Sequence, residues 1–150
     1  MSFSPNFIGS AAKGSVTALQ STYINGETFT LSQAQPVCVN SSGQMIHVDI
    51  TSDSAVSGII GVVATSNGVP TGATGLVMDV GRLENITTSF NIGDAIYINT
   101  DGTLMNVRPD IGVQSFVSGY YVVFVGVIVK NQFNNTHKDL KVYMDVVGQL

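Results

Sequence analysis

From Glu27 onward the chain alternates apolar and polar residues in short runs punctuated by Gly, Asn, Asp and Pro, and no window of 12 or more residues carries an apolar helix face. Period-2 alternation over four to eight residues is the signature of a half-buried strand. The pattern predicts strands near 28–31, 36–40, 44–50, 58–65, 75–80, 85–90, 95–99, 103–107, 115–118, 120–130 and 140–147. Many short strands with evenly spaced turns imply an all-β fold, a barrel or sandwich of short antiparallel strands. Tyr120 to Val129 is apolar at both parities, which predicts a central strand covered on both faces. Asn40-Ser41-Ser42-Gly43 and Asn99-Thr100-Asp101-Gly102 read as hairpin turns, because Gly and Asn tolerate the positive φ of a tight reversal. Pro36 fits only the first or edge position of a strand.

The chain also says nearly the same thing twice. Val37 to Val48 returns, gapless, as Ile96 to Val107 at an offset of 59; Ile60-Gly61-Val62-Val63 returns as Val125-Gly126-Val127-Ile128 at 65; Val77-Met78-Asp79-Val80 returns as Tyr143-Met144-Asp145-Val146 at 66. Any two hairpins share alternation and an Asn-x-x-Gly turn. Three blocks in one order, two of them with less generic tokens, favour a duplicated framework. Two repeats are too few for a solenoid, which needs about three or more. The expectation is a single β domain, 27–150, built from two related halves of about 35–81 and 94–147 that share one core.

Residues 1–26 carry no sustained period and read as an extended N-terminal arm. Phe3, Phe7 and Ile8 are large apolar groups on a segment without a core of its own, so they are the candidate partner-binding residues, expected to anchor the arm on another subunit.

Composition sharpens this picture. At 150 residues the chain is one domain by length and large enough to bury a core without disulfide or metal. Only 11% of residues are charged, against about 25% in an average globular protein, so the surface must be hidden against partners or wetted by hydroxyls and amides. Four lysines and two arginines stand singly in a chain of net charge −4, which disfavours nucleic acid. The longest apolar stretch is too short to cross a bilayer, and the N-terminus lacks a basic-then-apolar signal, so synthesis in the cytoplasm is expected. Asn40, Asn85 and Asn134 open Asn-x-Ser/Thr triplets and read as turn or strand-edge residues.

Candidate chemistry is sparse. Cys38, the single cysteine, reads as a small buried hydrophobe. His47 and Asp49 alternate on a strand and would share a face; His137 is far from both in sequence. One Cys and two distant His fall short of the three or four ligands that zinc needs, so no metal is expected. No Gly-x-Ser-x-Gly elbow is present, and the Gly-rich loop 67–75 lacks the Lys-Ser/Thr ending of a phosphate cradle. Asp49, Asp53, Asp79, Asp94, Asp101 and Asp145 invite a glycosidase reading, but they flank turns or stand mid-strand, where aspartate caps or faces solvent. Asp79 and Asp145 occupy equivalent repeat positions, which favours a structural role. Asp94 and Asp101 are the pair that could hold a calcium ion through nearby carbonyls, yet no Asp-x-Asp-x-Asp-Gly run accompanies them. No catalytic residue and no cofactor are expected.

Gln35 to Gln44, Ser57 to Val63, Gly93-Asp94-Ala95-Ile96-Tyr97-Ile98-Asn99 through Leu104, and Phe124 to Ile128 resemble small β modules of tailed-bacteriophage virions, namely capsid decoration (cement) proteins and head- or tail-fibre anchoring modules. The resemblance covers about residues 28–147 and rests on hairpins and a close-packing glycine. Gln35-Pro36 stands where Gly-Asp would be expected, and the usual Ala richness is missing. What the resemblance implies is a non-enzymatic structural protein of the virion, decorating or bridging capsid or tail subunits as a homo-oligomer. Two other classes are a receptor- or carbohydrate-binding β module, against which the absence of Trp weighs, and a hydrolase with an unrecognised site.

Overall fold

Alternation becomes sheet in nine stretches of the described chain. The computed structural model describes residues 18–150, with side chains from residue 20. Its elements are β1 (Ala18–Ile24), β2 (Pro36–Val39), β3 (Met45–His47), α1 (Asp53–Ser57), β4 (Ile59–Val63), β5 (Thr74–Ile86), β6 (Ala95–Ile98), β7 (Leu104–Met105), β8 (Tyr121–Lys130) and β9 (Lys138–Gln149). One sheet contains all nine described strands, in the order β3-β2-β4-β5-β9-β8-β6-β7, with β1 added to β5. Every ladder between named strands is antiparallel.

Read outward from the β5–β9 seam, the order is the same on both sides: hairpin β2–β3 and strands β4 and β5 on one, hairpin β6–β7 and strands β8 and β9 on the other. The registers repeat as well. Pro36↔Val62, Val37↔Gly61 and Cys38↔Ile59 recur as Ala95↔Val127, Ile96↔Gly126 and Tyr97↔Phe124, with a bulge at the same step of each ladder. Both glycines are forced by close approach: a Cβ on Gly61 would strike the Met78 carbonyl, and one on Gly126 the Lys141 carbonyl. The two hairpin turns also match, with Asn40 N–H donating to the Gln44 carbonyl at 2.9 Å and Asn99 N–H to that of Thr103 at 2.7 Å. Gly43 and Gly102 supply φ of 78° and 84° there.

The third block corrects the sequence alignment. Val62↔Met78 in one half corresponds to Val127↔Lys141 in the other, so β5 maps onto β9 at an offset of 63 and not 66. On that register Val80 stands directly opposite its own counterpart Tyr143, which puts a pseudo-two-fold axis between them. Asp79 and Asp145 are therefore not equivalent. Their shared Met-Asp-Val setting is a similarity of composition, slipped by the irregular pairing of β8 with β9 between Phe124 and Gly126.

Packing departs from symmetry. One core draws on both halves and includes Cys38, Val62, Met78, Ile96, Ile98, Phe116, Val123, Ile128 and Leu140. The sheet curls round it: Tyr121 N–H donates to the Ile50 carbonyl at 2.9 Å, and Gly102 of the β6–β7 turn packs against His47 and Val48. The two ends of the sheet thus approach across the core in a barrel-like curl. A second cluster, Leu31, Val37, Met45, Val63, Val69 and Val77, covers the other face of the first half alone. Its roof is the segment around Leu31, which exchanges backbone bonds of 3.0 and 2.8 Å with Val69, and its peg is Asn25. Asn25 is 1% exposed and donates to the carbonyls of Phe29 at 2.9 Å and Val69 at 2.8 Å.

Several expected strands are something else. Residues 28–31 form that roof, bridged at Leu31 to Val69 of the β4–β5 loop and not to a named strand. Residues 85–86 end β5, after which 87–90 leave it; 115–118 is a turn in which Phe116 plugs the core. Alternation there reflects burial of isolated apolar plugs. The one helix among the described residues, α1, is too short to show a period: Ser52 caps it by accepting from Ala55 N–H at 3.2 Å, and Val56 alone is buried.

The expected arm also shrinks. Residues 18–24, placed in it by their lack of period, are the strand β1 and belong to the chain's own sheet. Phe3, Phe7 and Ile8 lie outside the described residues.

Candidate interaction surface

β1 sits where symmetry would put the end of β9. On the pseudo-two-fold, residues 144–149 of β9 would pair with 74–79 of β5, but β1 holds that edge, with Leu19 opposite Val80 and Ile24 opposite Thr74. Beyond Tyr143, β9 therefore parts from β5 and leaves with β8, pairing Val146 with Val123 and Gln149 with Tyr121. The sheet forks at the axis. Among the described residues no strand pairs with 144–149 on the side turned towards β5, so that row of backbone groups is an open edge.

At the root of the fork lies an open concavity of about 490 Å³ lined by Val80, Gly81, Arg82, Phe124, Gly126, Val127, Lys141, Val142 and Tyr143. Pleating explains the lining. Val80, Arg82, Lys141 and Tyr143 point to one face of the paired strands, Val127 stands opposite Lys141, and glycine at 81 and 126 leaves bare backbone for a floor. Phe124 is held as one wall by an edge-on contact with Tyr97, centroids 5.6 Å apart. Tyr143, 66% exposed, forms another wall, and Val146 and Val147 continue the apolar surface along the open edge. Arg82 is tied down by Asp139 at 3.2 Å and the Lys130 carbonyl at 3.3 Å, while Lys141 at the rim has no side-chain partner among the described residues. Such a site offers apolar area and strand-edge hydrogen bonds, the chemistry of peptide docking.

The polar residues singled out from sequence do other work. Strand β3 ends at His47, so His47 and Asp49 do not share a strand face: the His47 ring pairs with Glu27, while Asp49 accepts from the Thr51 hydroxyl at 2.7 Å and its N–H at 3.0 Å. Those bonds hold the Asp49 carboxyl below its usual range. Cys38, fully buried, donates its thiol to the His47 carbonyl at 3.5 Å, and burial, with Glu27 and Asp49 adding to it, raises the thiol's pKa. A buried thiol held in its protonated form is a packing group, not a nucleophile. Asp94 accepts from Asn106 at 3.0 Å and Asn91 N–H at 2.8 Å, and Asp101 from Thr103; each is lowered by these bonds, and the two close separate turns rather than sharing an ion. Asp53 accepts from the Tyr121 hydroxyl at 2.8 Å. Asp79 and Asp145 are exposed, and His137 accompanies Asn134 in the β8–β9 loop. Among the described residues no three His, Cys, Asp or Glu gather as a metal site. No described helix is long and apolar enough to cross a membrane.

One buried ionic cluster escaped the sequence. Asp139, 0% exposed, accepts from Asn85 N–H at 2.9 Å, the Asn131 amide at 3.1 Å and Arg82 at 3.2 Å. Burial pushes its pKa up, but these three donors outweigh it and hold the carboxyl below the usual range. The Asn131 oxygen in turn accepts from the N–H groups of Phe133 and Asn134, which projects Phe133 into solvent at 83% exposure. That exposed ring resembles a sugar-stacking platform, yet the Asn131 and Asn134 side chains beside it are consumed within the loop. Compared with known proteins, the chain matches no family model and no curated sequence.

Proposed function

We propose that this protein is a non-enzymatic structural component of a tailed-phage particle, decorating or bridging capsid or tail subunits. The observation that carries the reading is the fork at the pseudo-two-fold axis, where a strand edge and an apolar concavity lie open together. Unpaired edges are normally blunted by charge, bulges or cover. An edge left open beside apolar area suits a protein that joins others. The resemblance of the hairpins and the Gly61/Gly126 strands to virion β modules supplies the setting, and the 11% charge suits a surface meant to be covered.

Mass spectrometry of particles purified from the source of this chain should find it as a stoichiometric virion component, released with other structural proteins on disassembly. Recovery only from the particle-free fraction would refute the reading. So would turnover of a substrate abolished by a single side-chain replacement.

A further inference from the structure

We infer that the concavity at the fork receives the N-terminal segment of a second copy, residues 1–17, with Phe7 and Ile8 seated between Phe124, Val127 and Tyr143 and the flanking backbone laid along the open edge of β9. This deepens the structural reading above by naming what joins the copies. Three observations carry it. The concavity is apolar and floored by glycine backbone at positions 81 and 126, so it accepts large side chains at its centre. Its neighbouring strand edge, 144–149, offers main-chain groups to an extended peptide. And the chain outside the described residues enters at that very place, because Ala18 is the partner of Gly81, one of the lining residues.

Chain length decides between the chain's own segment and another's. Ala18 stands about one strand spacing, roughly 4.8 Å, from the floor of its own concavity. Ile8 is ten residues further out, a run that extends to about 33–36 Å, and Phe3 lies beyond it. For Phe7 and Ile8 to fill their own site, the segment must reverse at the fork's apex, where β1, β5 and β9 already meet. Running straight, it carries the same side chains to a neighbour. Adding a strand to the neighbour's β9 edge then satisfies backbone groups on both partners. Nothing in 1–17 opposes this: the segment has a single charged side chain, Lys13, and Pro5 is tolerated in an added edge strand.

The test is disulfide trapping between full-length chains. One chain carries Asn6→Cys, beside the anchors, and the other Lys141→Cys, on the rim; Cys38 is buried and stays. Mixed under mild oxidation, the two should form a cross-linked heterodimer, and Phe7→Asp with Ile8→Asp on the first chain should lower its yield by at least about tenfold while the variant keeps the far-ultraviolet circular dichroism of a folded β domain. Wild-type protein should sediment as an oligomer and the double-aspartate variant as a monomer. No heterodimer, a bond formed only within a chain carrying both cysteines, or trapping indifferent to the aspartates would each overturn the inference. Trapping of a protein absent from particles would leave the arm–concavity pairing standing and remove the virion reading; particles containing a protein that does not trap would do the reverse.

Discussion

Alanine at Gly61 or Gly126 should destabilise the protein at equivalent points of its two halves. Each glycine lies at the ladder step where a hairpin strand meets its neighbour, Val37↔Gly61 and Ile96↔Gly126. The obstacles to a Cβ are main-chain carbonyls, of Met78 and Lys141, held in ladders of their own. Relief therefore requires one strand to slide against another, not a rotamer change, and overpacking of this kind costs about 1–3 kcal/mol. Gly61 also has φ +138°, where a residue with a Cβ adds strain of about 1–3 kcal/mol. Against this, alanine restricts the unfolded chain and returns only about 0.4–1 kcal/mol. The net loss should be about 1–2 kcal/mol for Gly126→Ala and about 3–4 kcal/mol for Gly61→Ala. Gly148→Ala is the control, since a Cβ there meets nothing within 4 Å and the change should stay within about 0.5 kcal/mol. Urea titration gives the order directly, the midpoint falling at constant m if only native packing suffers. Gly126→Ala no worse than Gly148→Ala, or Gly61→Ala milder than Gly126→Ala, would refute the reasoning.

Asp139→Ala strips a buried carboxylate from the Asn85, Asn131 and Arg82 donors and should cost about 3 kcal/mol at neutral pH by urea titration. Because the folded pKa is depressed, the carboxylate's contribution is complete above the unfolded range near pH 4 and disappears as pH falls through the lower folded value, so the gap between wild type and variant should narrow in acid; a gap that does not narrow as pH falls would contradict this. Asn25→Ala leaves two carbonyls without their donor under the roof of the first half and should cost about 1–3 kcal/mol, with faster amide hydrogen exchange at Leu31 and Val69; unchanged exchange there would sink it. Phe133→Ser should move stability by no more than about 0.5 kcal/mol, and a larger fall in thermal midpoint would show that the ring packs on something.

Local pattern determined the hairpins, the all-β class and the duplication. Alternation around Asn40–Gly43 and Asn99–Gly102 demands a period-2 strand either side of a tight turn, and only a few backbone conformations satisfy both. The both-parity run of Tyr120 to Val129 likewise foretold β8, flanked by β9 and β6. Tertiary structure decided whatever depends on partners distant in sequence. Val77 to Val80 aligned better at an offset of 66, through the shared Met-Asp-Val, than at the structural offset of 63, because side-chain identity does not reveal a slipped ladder; only the carbonyls facing Gly61 and Gly126 set the register. β1 was illegible since a strand that adds to an edge is held by main-chain bonds, which any sequence supplies. Its capture of the β5 edge breaks the symmetry and forks the sheet. Asp139 became a buried ion for the same kind of reason, as its donors Arg82, Asn85 and Asn131 converge from β5 and the end of β8, and burial of a charge is settled by what surrounds it.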